Sequence, residues 1–329
     1  MCKKFFILAI SLCMLSMGFS VVFAGGQQEG SADGSADYPT KSAQFLIPFG
    51  AGGSCDVLGR ALIDGADESF GKPFVPVNKT GAGGGVMYQT LKNSKADGYT
   101  IGWNSTSVLT STNIGNVPFP YDELGYVCRI GYTSMPIAVR ADAEYDTIEE
   151  FLDYAKSNPG EIKLGNAGTG STTHIAAVVF AAETGIEVTH VPLGADRRMP
   201  AMLGGEVDAA CVPLPEVAPH VASGDVKILV FPTLKRNENY PDVPTLTEVG
   251  YDVVIELFRG ISVPKETPEA RIQKLEEVFE KAAQTERFKD AAEKYGFKID
   301  FMPSDEFNEY LAKQNDIIAQ GMKLGGLID

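Results

Sequence analysis

The stretch LIPFGAGGSCDVLGRAL, from Leu46 to Leu62, reads as the end of a strand, a glycine-rich bend and a helix. The apolar run AQFLIPF ends at Phe49, and the pattern that follows predicts a helix from Val57. Between them lies a loop of glycine, alanine and serine, which leaves backbone N–H groups uncovered at the start of the helix. The bend is therefore a candidate binding loop.

The same order of strand, glycine loop and helix occurs twice more. YTIGWN at 99–104 precedes STSVLTS, and IKLGNAG at 162–168 precedes a helix predicted from about Thr173. Each loop follows the C-terminal end of a strand, which is where α/β sheets place their ligands. A body of this length typically forms about two domains. The sequence therefore predicts an α/β fold with ligand loops at one edge of each sheet.

Two helix starts have recognisable signals. Asp146 with Glu149 three residues later predicts a capping box, and Thr267-Pro268 predicts the start of a later helix.

The N-terminal segment has the pattern of an export signal. Residues 1–24 contain Lys3 and Lys4, then a long apolar run, then small residues, and this order predicts a secretory signal peptide cleaved near Ala24. Residues 25–37 contain no aliphatic side chain larger than alanine, so we expect a flexible tether before the folded body. The protein is therefore expected to be exported from the cytoplasm.

Charge and cysteine content exclude several functions. Loss of the two leader lysines takes the formal charge from −15 to −17, which argues against binding nucleic acid or anionic lipid. Lipid attachment at Cys13 is disfavoured because the bulky Leu12 precedes it. Cys55, Cys128 and Cys211 lack metal-ligand spacing, and we interpret them as small apolar fillers, with one disulfide left open. No metal or cofactor is expected.

The glycine loops do not fit a nucleotide site. The first loop has no Gly-Lys-Ser/Thr ending, so no lysine is available for a phosphate. The GAGGGVMYQ stretch has Val86 where a dinucleotide fingerprint needs its third glycine, and no convincing strand precedes it. Backbone N–H groups at a helix start instead suit a carboxylate or another small anion.

Several ordered motifs carry a resemblance to a known family. They are IPFGAGGSCDVLGRAL, VNKTGAGGGVMYQTLKNSKADGYTIGWNSTS, GNAGTGSTTHIAAVVF, LGGEVDA and YPDVPTLTEVGYD. From about Ala43 to the C-terminus the chain resembles the solute-binding proteins of the tripartite tricarboxylate transporters, including the Bug receptors. The resemblance implies a two-lobed periplasmic binding protein of the Venus flytrap, type II-like kind, with two crossing hinge strands near 127–136 and 253–263. It places 38–130 and 258–329 in lobe one and 131–257 in lobe two.

The resemblance also implies a function and a site. We expect a monomeric receptor that captures a small carboxylate, such as a di- or tricarboxylate, and delivers it to the large and small membrane subunits of the transporter. The expected ligand-binding residues are Phe49, Gly50, Gly52, Gly53, Asp56, Ser105 and Thr106 on one lobe, facing Thr169, Gly170, Ser171 and His174 on the other.

Some of these residues have structural interpretations as well. Asp56 is placed to satisfy N–H groups in the first helical turn, Ser171 to cap a helix, and His174 to pack at that helix start. His190 and His220 are interpreted as structural or exposed.

The sequence departs from the family around residues 193–199. Leu193 replaces the usual aromatic residue, and Arg197 and Arg198 lie in a loop that is usually small; they either bind a ligand carboxylate or face solvent. Val212 and Pro213 replace polar residues. These changes leave the ligand unassigned.

Two other functions stay open on sequence alone. The same fold could deliver its ligand to a membrane signalling protein. An exported thiol enzyme using Cys55 and His174 is the less favoured hypothesis, because no Gly-x-Ser-x-Gly motif or metal site supports catalysis. We therefore expect a binding protein and not an enzyme.

Overall fold

The computed structural model describes residues 38–167, 171–194, 197–324 and 326–329. The signal peptide and tether predicted for residues 1–37 lie outside these residues. The strands are β1 Ala43–Ile47, β2 Phe74–Asn78, β3 Thr100–Ser105, β4 Leu124–Thr133, β5 Ile137–Arg140, β6 Lys163–Asn166, β7 Thr189–Pro192, β8 Ala209–Cys211, β9 Val226–Val230, β10 Leu257–Pro264 and β11 Lys298–Pro303. The helices are α1 Ser54–Phe70, α2 Gly85–Lys92, α3 Ser107–Asn113, α4 Ile148–Ser157, α5 Thr172–Thr184, α6 Arg198–Leu203, α7 Leu214–Ala222, α8 Glu269–Ala283, α9 Glu286–Lys294 and α10 Ser304–Leu324.

The strands form two mixed sheets. The first has the order β11-β4-β10-β3-β1-β2, and the second has the order β7-β6-β8-β5-β9. β1 pairs in parallel with β2 and β3, and β6 pairs in parallel with β7 and β8. The loops that follow β1, β3 and β6 each lead into a helix, as the sequence predicts. The α/β fold with two sheets is therefore present.

Helix α1 covers one face of the first sheet because its apolar residues recur every four positions. Leu58, Leu62 and Ala66 are buried, and the indole of Trp103 on β3 donates a hydrogen bond of 2.9 Å to the carbonyl of Cys55. That bond links the start of α1 to the sheet. The glycine loop is thus held between two packed elements.

Two predicted helix starts need correction. Helix α1 begins at Ser54, three residues before the predicted start, because the helix can begin directly after the glycines. The capping box of α4 uses Thr147 and Glu150, not Asp146 and Glu149. The Thr147 hydroxyl accepts from the N–H of Glu150, which shifts the helix start by one residue.

The GAGGGVMYQ stretch does follow a strand, contrary to the sequence interpretation. β2 contains Pro76, and a proline inside a run of residues argues against a strand. β2 lies at the edge of the sheet, however, where a missing N–H is tolerated. The loop still lacks the third glycine of a dinucleotide fingerprint. The rejection of that site therefore rests on Val86 alone.

The chain passes between the sheets twice. It leaves the first sheet after Thr133 and enters the second at Ile137, and it returns between Val230 and Leu257. β4 and β10, which adjoin these connections, pair antiparallel. The predicted crossing segments overlap both connections, while the lobe boundaries and the hinge motion stay predictions.

A buried ionic network ties the two connections together. Arg129 on β4 donates from Nη1 to Glu256 Oε2 at 2.8 Å and from Nη2 to Asp300 Oδ2 at 2.6 Å. Tyr310 donates a further bond of 3.1 Å to Glu256 Oε2. The side chains of Arg129 and Glu256 are both fully buried. The return segment is therefore fixed to β4 through charged groups that water does not reach.

The last helix, α10, contacts both the first sheet and a helix that packs on the second sheet. Phe307 of α10 packs beside the first sheet, and Gly321 lies against Val179 of α5. A Cβ at residue 321 would overlap the Val179 side chain, so glycine permits this close crossing. Helix α10 therefore links the helices of the second sheet to the first sheet.

Candidate functional site

The first glycine loop is open to solvent at the start of α1. Gly50, Gly52 and Gly53 are exposed, and Gly52 has a φ of +83°, which disfavours other residues. The N-cap residue Gly53 has no side chain, so no capping side-chain hydrogen bond forms there. This end of α1 presents uncapped N–H groups to the solvent.

Asp56 holds the loop in place. Its carboxylate accepts hydrogen bonds from Gly52 N, Arg60 Nε and Asn78 Nδ2, all at 2.9 Å. Burial by itself raises the pKa of Asp56, but the three hydrogen bonds lower it overall and keep the group ionised. The structural interpretation of Asp56 is therefore satisfied by three named donors, and ligand contact by Asp56 stays a prediction.

Ser105 and Thr106 lie at the end of β3, and both hydroxyls have protein partners. Thr106 Oγ1 donates to the carbonyl of Glu256 at 2.7 Å and accepts from Phe258 N at 3.0 Å. The Ser105 hydroxyl lies 2.8 Å from that of Ser107, which lies 2.7 Å from the Tyr88 hydroxyl, so the three form a buried polar chain. Thr106 therefore joins β3 to the returning segment, while the Ser105 hydroxyl belongs to a polar chain beside the loop.

Arg259 on β10 is a residue that sequence reasoning missed. It is 6% exposed, and β10 aligns it with Ser105 on β3. Its guanidinium lies 5.9 Å from the centre of the Phe49 ring. Within the described residues, Arg259 makes no ion pair or hydrogen bond, and its Nη1 is fully buried without a partner. The sequence signal was one arginine inside the apolar strand LFRGISVP.

The second sheet provides the other predicted residues. Ser171 caps α5 by accepting a hydrogen bond of 3.2 Å from His174 N, so its prediction as an N-cap is confirmed. His174 is buried beside His190, with ring centres 5.4 Å apart. Burial lowers the pKa of both imidazoles. The predicted residues Thr169 and Gly170 lie outside the described residues.

The two adjacent arginines have protein partners. Arg198 is buried and binds Glu216 through two bonds, of 3.1 Å from Nε and 2.7 Å from Nη2. Arg197 donates from Nη2 to Glu206 Oε2 at 2.7 Å at the surface. Each guanidinium already has a carboxylate, which favours a structural role for Arg198.

The geometry does not support thiol or metal chemistry. Cys55, Cys128 and Cys211 are free and buried, as expected of apolar fillers. Burial raises the pKa of the Cys55 thiol despite the opposing effect of Arg259, so the nucleophilic thiolate is disfavoured. Among the described residues, no cluster has the side chains for a metal ion, and no helix is long and apolar enough to cross a bilayer.

The structure thus gathers Phe49, the glycines, Asp56, Ser105 and Arg259 at one edge of the first sheet. Ser171 and His174 lie at the corresponding edge of the second sheet, where β6 ends. Uncapped N–H groups and a buried cation make the first edge suited to an anion.

Comparisons with known proteins agree with this arrangement. The model of the TctC family, described as the tripartite tricarboxylate transporter family receptor, matches residues 58–322. A Cupriavidus necator protein, the UPF0065 protein in the gbd 5′ region, is 31% identical over 285 residues, which cover 86% of this chain and 87% of that protein.

Solved structures share the fold. A TctC solute-binding protein from Polaromonas superposes with a TM-score of 0.82 at 30% identity, covering 87% of this chain and 99% of that one. The periplasmic binding protein BugD gives a TM-score of 0.67 at 26% identity, covering 88% and 99%. These proteins are binding proteins, so the prediction of a receptor and not an enzyme is confirmed. The chain belongs to the TctC family of tripartite tricarboxylate transporter receptors.

Proposed function

We propose that this receptor captures a small carboxylate in the periplasm and delivers it to the membrane subunits of a tripartite transporter. One observation carries the proposal: the start of α1 is exposed and has no side-chain cap, so its first N–H groups are open to an anion. The Asp56 carboxylate faces the loop, since one of its oxygens accepts from Gly52 N at 2.9 Å, and its charge alone would repel a carboxylate. The Arg60 guanidinium offsets this charge, and the N–H donors of Gly52 and Asn78 hold the carboxylate in place, so the remaining N–H groups at the helix start stay available to an anion.

The second side of the site comes from the second sheet. Ser171 caps the start of α5, the helix that follows β6, and a ligand held by both helix starts must be approached from two sides. We therefore propose that 38–130 with 258–329 and 131–257 act as two lobes that close on the ligand. The two connections beside β4 and β10 then serve as the hinge. Export by the predicted leader is part of the same proposal.

Dicarboxylates are the first ligands to test. MatC from Rhodopseudomonas palustris, with a TM-score of 0.65, 21% identity and coverage of 85% of this chain and 100% of that one, holds malate. A second R. palustris protein, with a TM-score of 0.68, 22% identity and coverage of 88% and 99%, holds adipate. Both share the fold with this chain, which makes their ligands reasonable probes.

The test is an unfolding screen of the chain without its leader. Malate, adipate, tricarboxylates, aromatic acids and amino acids are added one at a time. A ligand at a hundredfold excess over its dissociation constant should stabilise the protein by about 2.7 kcal/mol. If no carboxylate in the panel shifts unfolding, the proposal is wrong. Small-angle scattering with the ligand found should show a smaller radius of gyration, and an unchanged radius would contradict lobe closure.

Two glycine variants separate the loop from general backbone strain. Gly52 and Gly224 have φ of +83° and +80°, and a Cβ at either position would meet no atom within 4 Å. Alanine at either should cost about 1–2 kcal/mol of folding stability. Only Gly52→Ala should also weaken carboxylate binding, because only Gly52 lies in the loop.

A further inference from the structure

The buried arginines of this chain differ in one respect. Arg129 has two carboxylate partners and Arg198 has one, held through two bonds. Arg259 is as deeply buried as Arg198, yet no described residue pairs with it. An unpaired charge in this position needs a physical reason.

Burial of Arg259 without a partner is costly. A buried ion loses several kcal/mol of hydration, and a guanidinium cannot escape the cost by losing its proton. The nearby acids are already committed: Asp56 accepts from three donors, and Glu256, three residues before Arg259, accepts from Arg129 and Tyr310. The charge is therefore left for a group that is not part of the described protein.

The surroundings of Arg259 fit an anion. The Phe49 ring lies beside the guanidinium, the exposed loop of Gly50–Gly53 follows Phe49, and the hydroxyl of Ser105 lies on the neighbouring strand. Two residues along β10 from Arg259, Ile261 pairs with Trp103, whose indole donates to the carbonyl of Cys55, so this part of β10 lies near the uncapped helix start. The cation and the helix dipole thus favour negative charge in the same place.

We infer that Arg259 is a specificity-determining residue, which forms a direct ion pair with one carboxylate of the ligand. This inference rests on the proposed function and adds a side-chain charge to a site otherwise made of backbone dipoles. A planar guanidinium can bind a carboxylate through two parallel bonds. A neutral analogue leaves the buried cation unpaired, so the receptor selects acids over their amides. Arg259 supplies one positive charge, which pairs with one carboxylate of the ligand. A second carboxylate, where the ligand has one, lies farther from Arg259.

The inference is tested with adipate and malate as probes, and with adipamide as the neutral analogue of adipate. Wild type, R259M, R259K and R236M are compared by calorimetry and thermal unfolding. Arg236 is a matched control, since it is half-exposed and pairs with Glu248 away from the loop. We expect R259M to bind the acid about 10- to 100-fold more weakly, from the loss of a charged hydrogen bond of about 1.5–3 kcal/mol. R259K should retain part of the affinity, R236M all of it, and adipamide should bind none of the four.

Three results decide the matter. Equal affinity of wild type and R259M for the acid would overturn the role of Arg259 and leave the proposed function intact. An adipamide affinity equal to that of adipate would also overturn it. If neither acid binds the wild-type protein, the proposed function is refuted for these two acids. The thermal stability of the ligand-free proteins then still tests the role of Arg259. R259M that unfolds at the same or a higher temperature supports an uncompensated cation, whereas a less stable R259M shows that the protein itself satisfies the charge and overturns the inference.

Discussion

The buried network at the crossing connections gives a quantitative test of how the two sheets are joined. Glu256→Gln keeps the shape of the side chain but removes the charge that faces Arg129 at 2.8 Å. Both side chains are fully buried, and removal of one partner from such a pair costs about 3–5 kcal/mol because it leaves a buried charge uncompensated. Asp300 still contacts Arg129 and is partly exposed, so the lower value of about 3 kcal/mol is expected.

This loss is measurable by urea unfolding followed by circular dichroism. For a chain of this size, about 3 kcal/mol corresponds to a melting temperature lower by roughly 6 °C. The control is Glu238→Gln, in the same return segment, where the Lys298 pair is exposed and no measurable loss is expected. If Glu256→Gln is as stable as Glu238→Gln, the reasoning about the buried pair is wrong.

A double variant distinguishes loss of the attraction between Arg129 and Glu256 from the cost of leaving Arg129 buried without that partner. Arg129→Met removes the cation that Glu256→Gln leaves behind. The two changes together should therefore cost less than the sum of their separate effects, because the positions share one network. Strict additivity would show that Arg129 and Glu256 do not depend on each other.

Two further predictions concern titratable side chains. The thiols of Cys55, Cys128 and Cys211 should not react with a thiol reagent at pH 8 while the protein is folded, and all three should react in denaturant; rapid labelling of the folded protein would contradict their burial. Burial, with a smaller contribution from His174, lowers the pKa of His190 to about 4. The unfolded chain takes up this proton near pH 6.5, so the contribution to stability is complete above that pH and is lost as the pH falls towards 4. His190→Gln should flatten the fall in unfolding free energy across this window, whereas His220→Gln should not, and equal slopes for both variants would refute the assignment.

Local sequence was sufficient for the parts of the site that depend on neighbouring residues. The glycine loop before α1, the cap at Ser171 and the order of strand, loop and helix follow from turn chemistry and side-chain period, which act over a few residues. The errors were local too. Helix α1 begins at Ser54, three residues before the predicted start, because a helix can begin directly after the glycines. The edge strand β2 was missed because a proline inside a strand removes its usual signal.

Only the tertiary structure decided which charged side chains have an ion-pair or hydrogen-bond partner. Asp56 pairs with Arg60 four residues later, as a helix allows, but its bond to Asn78 depends on the β1–β2 pairing. Arg198 pairs with Glu216 on another helix, while Arg259, which is equally buried, has no ion-pair or hydrogen-bond partner among the described residues. The sequence determined that a glycine loop with exposed backbone N–H groups lies at the start of α1. The long-range register of the strands determined that a buried cation lies beside it, because pairing across a sheet brings together residues that no local pattern relates.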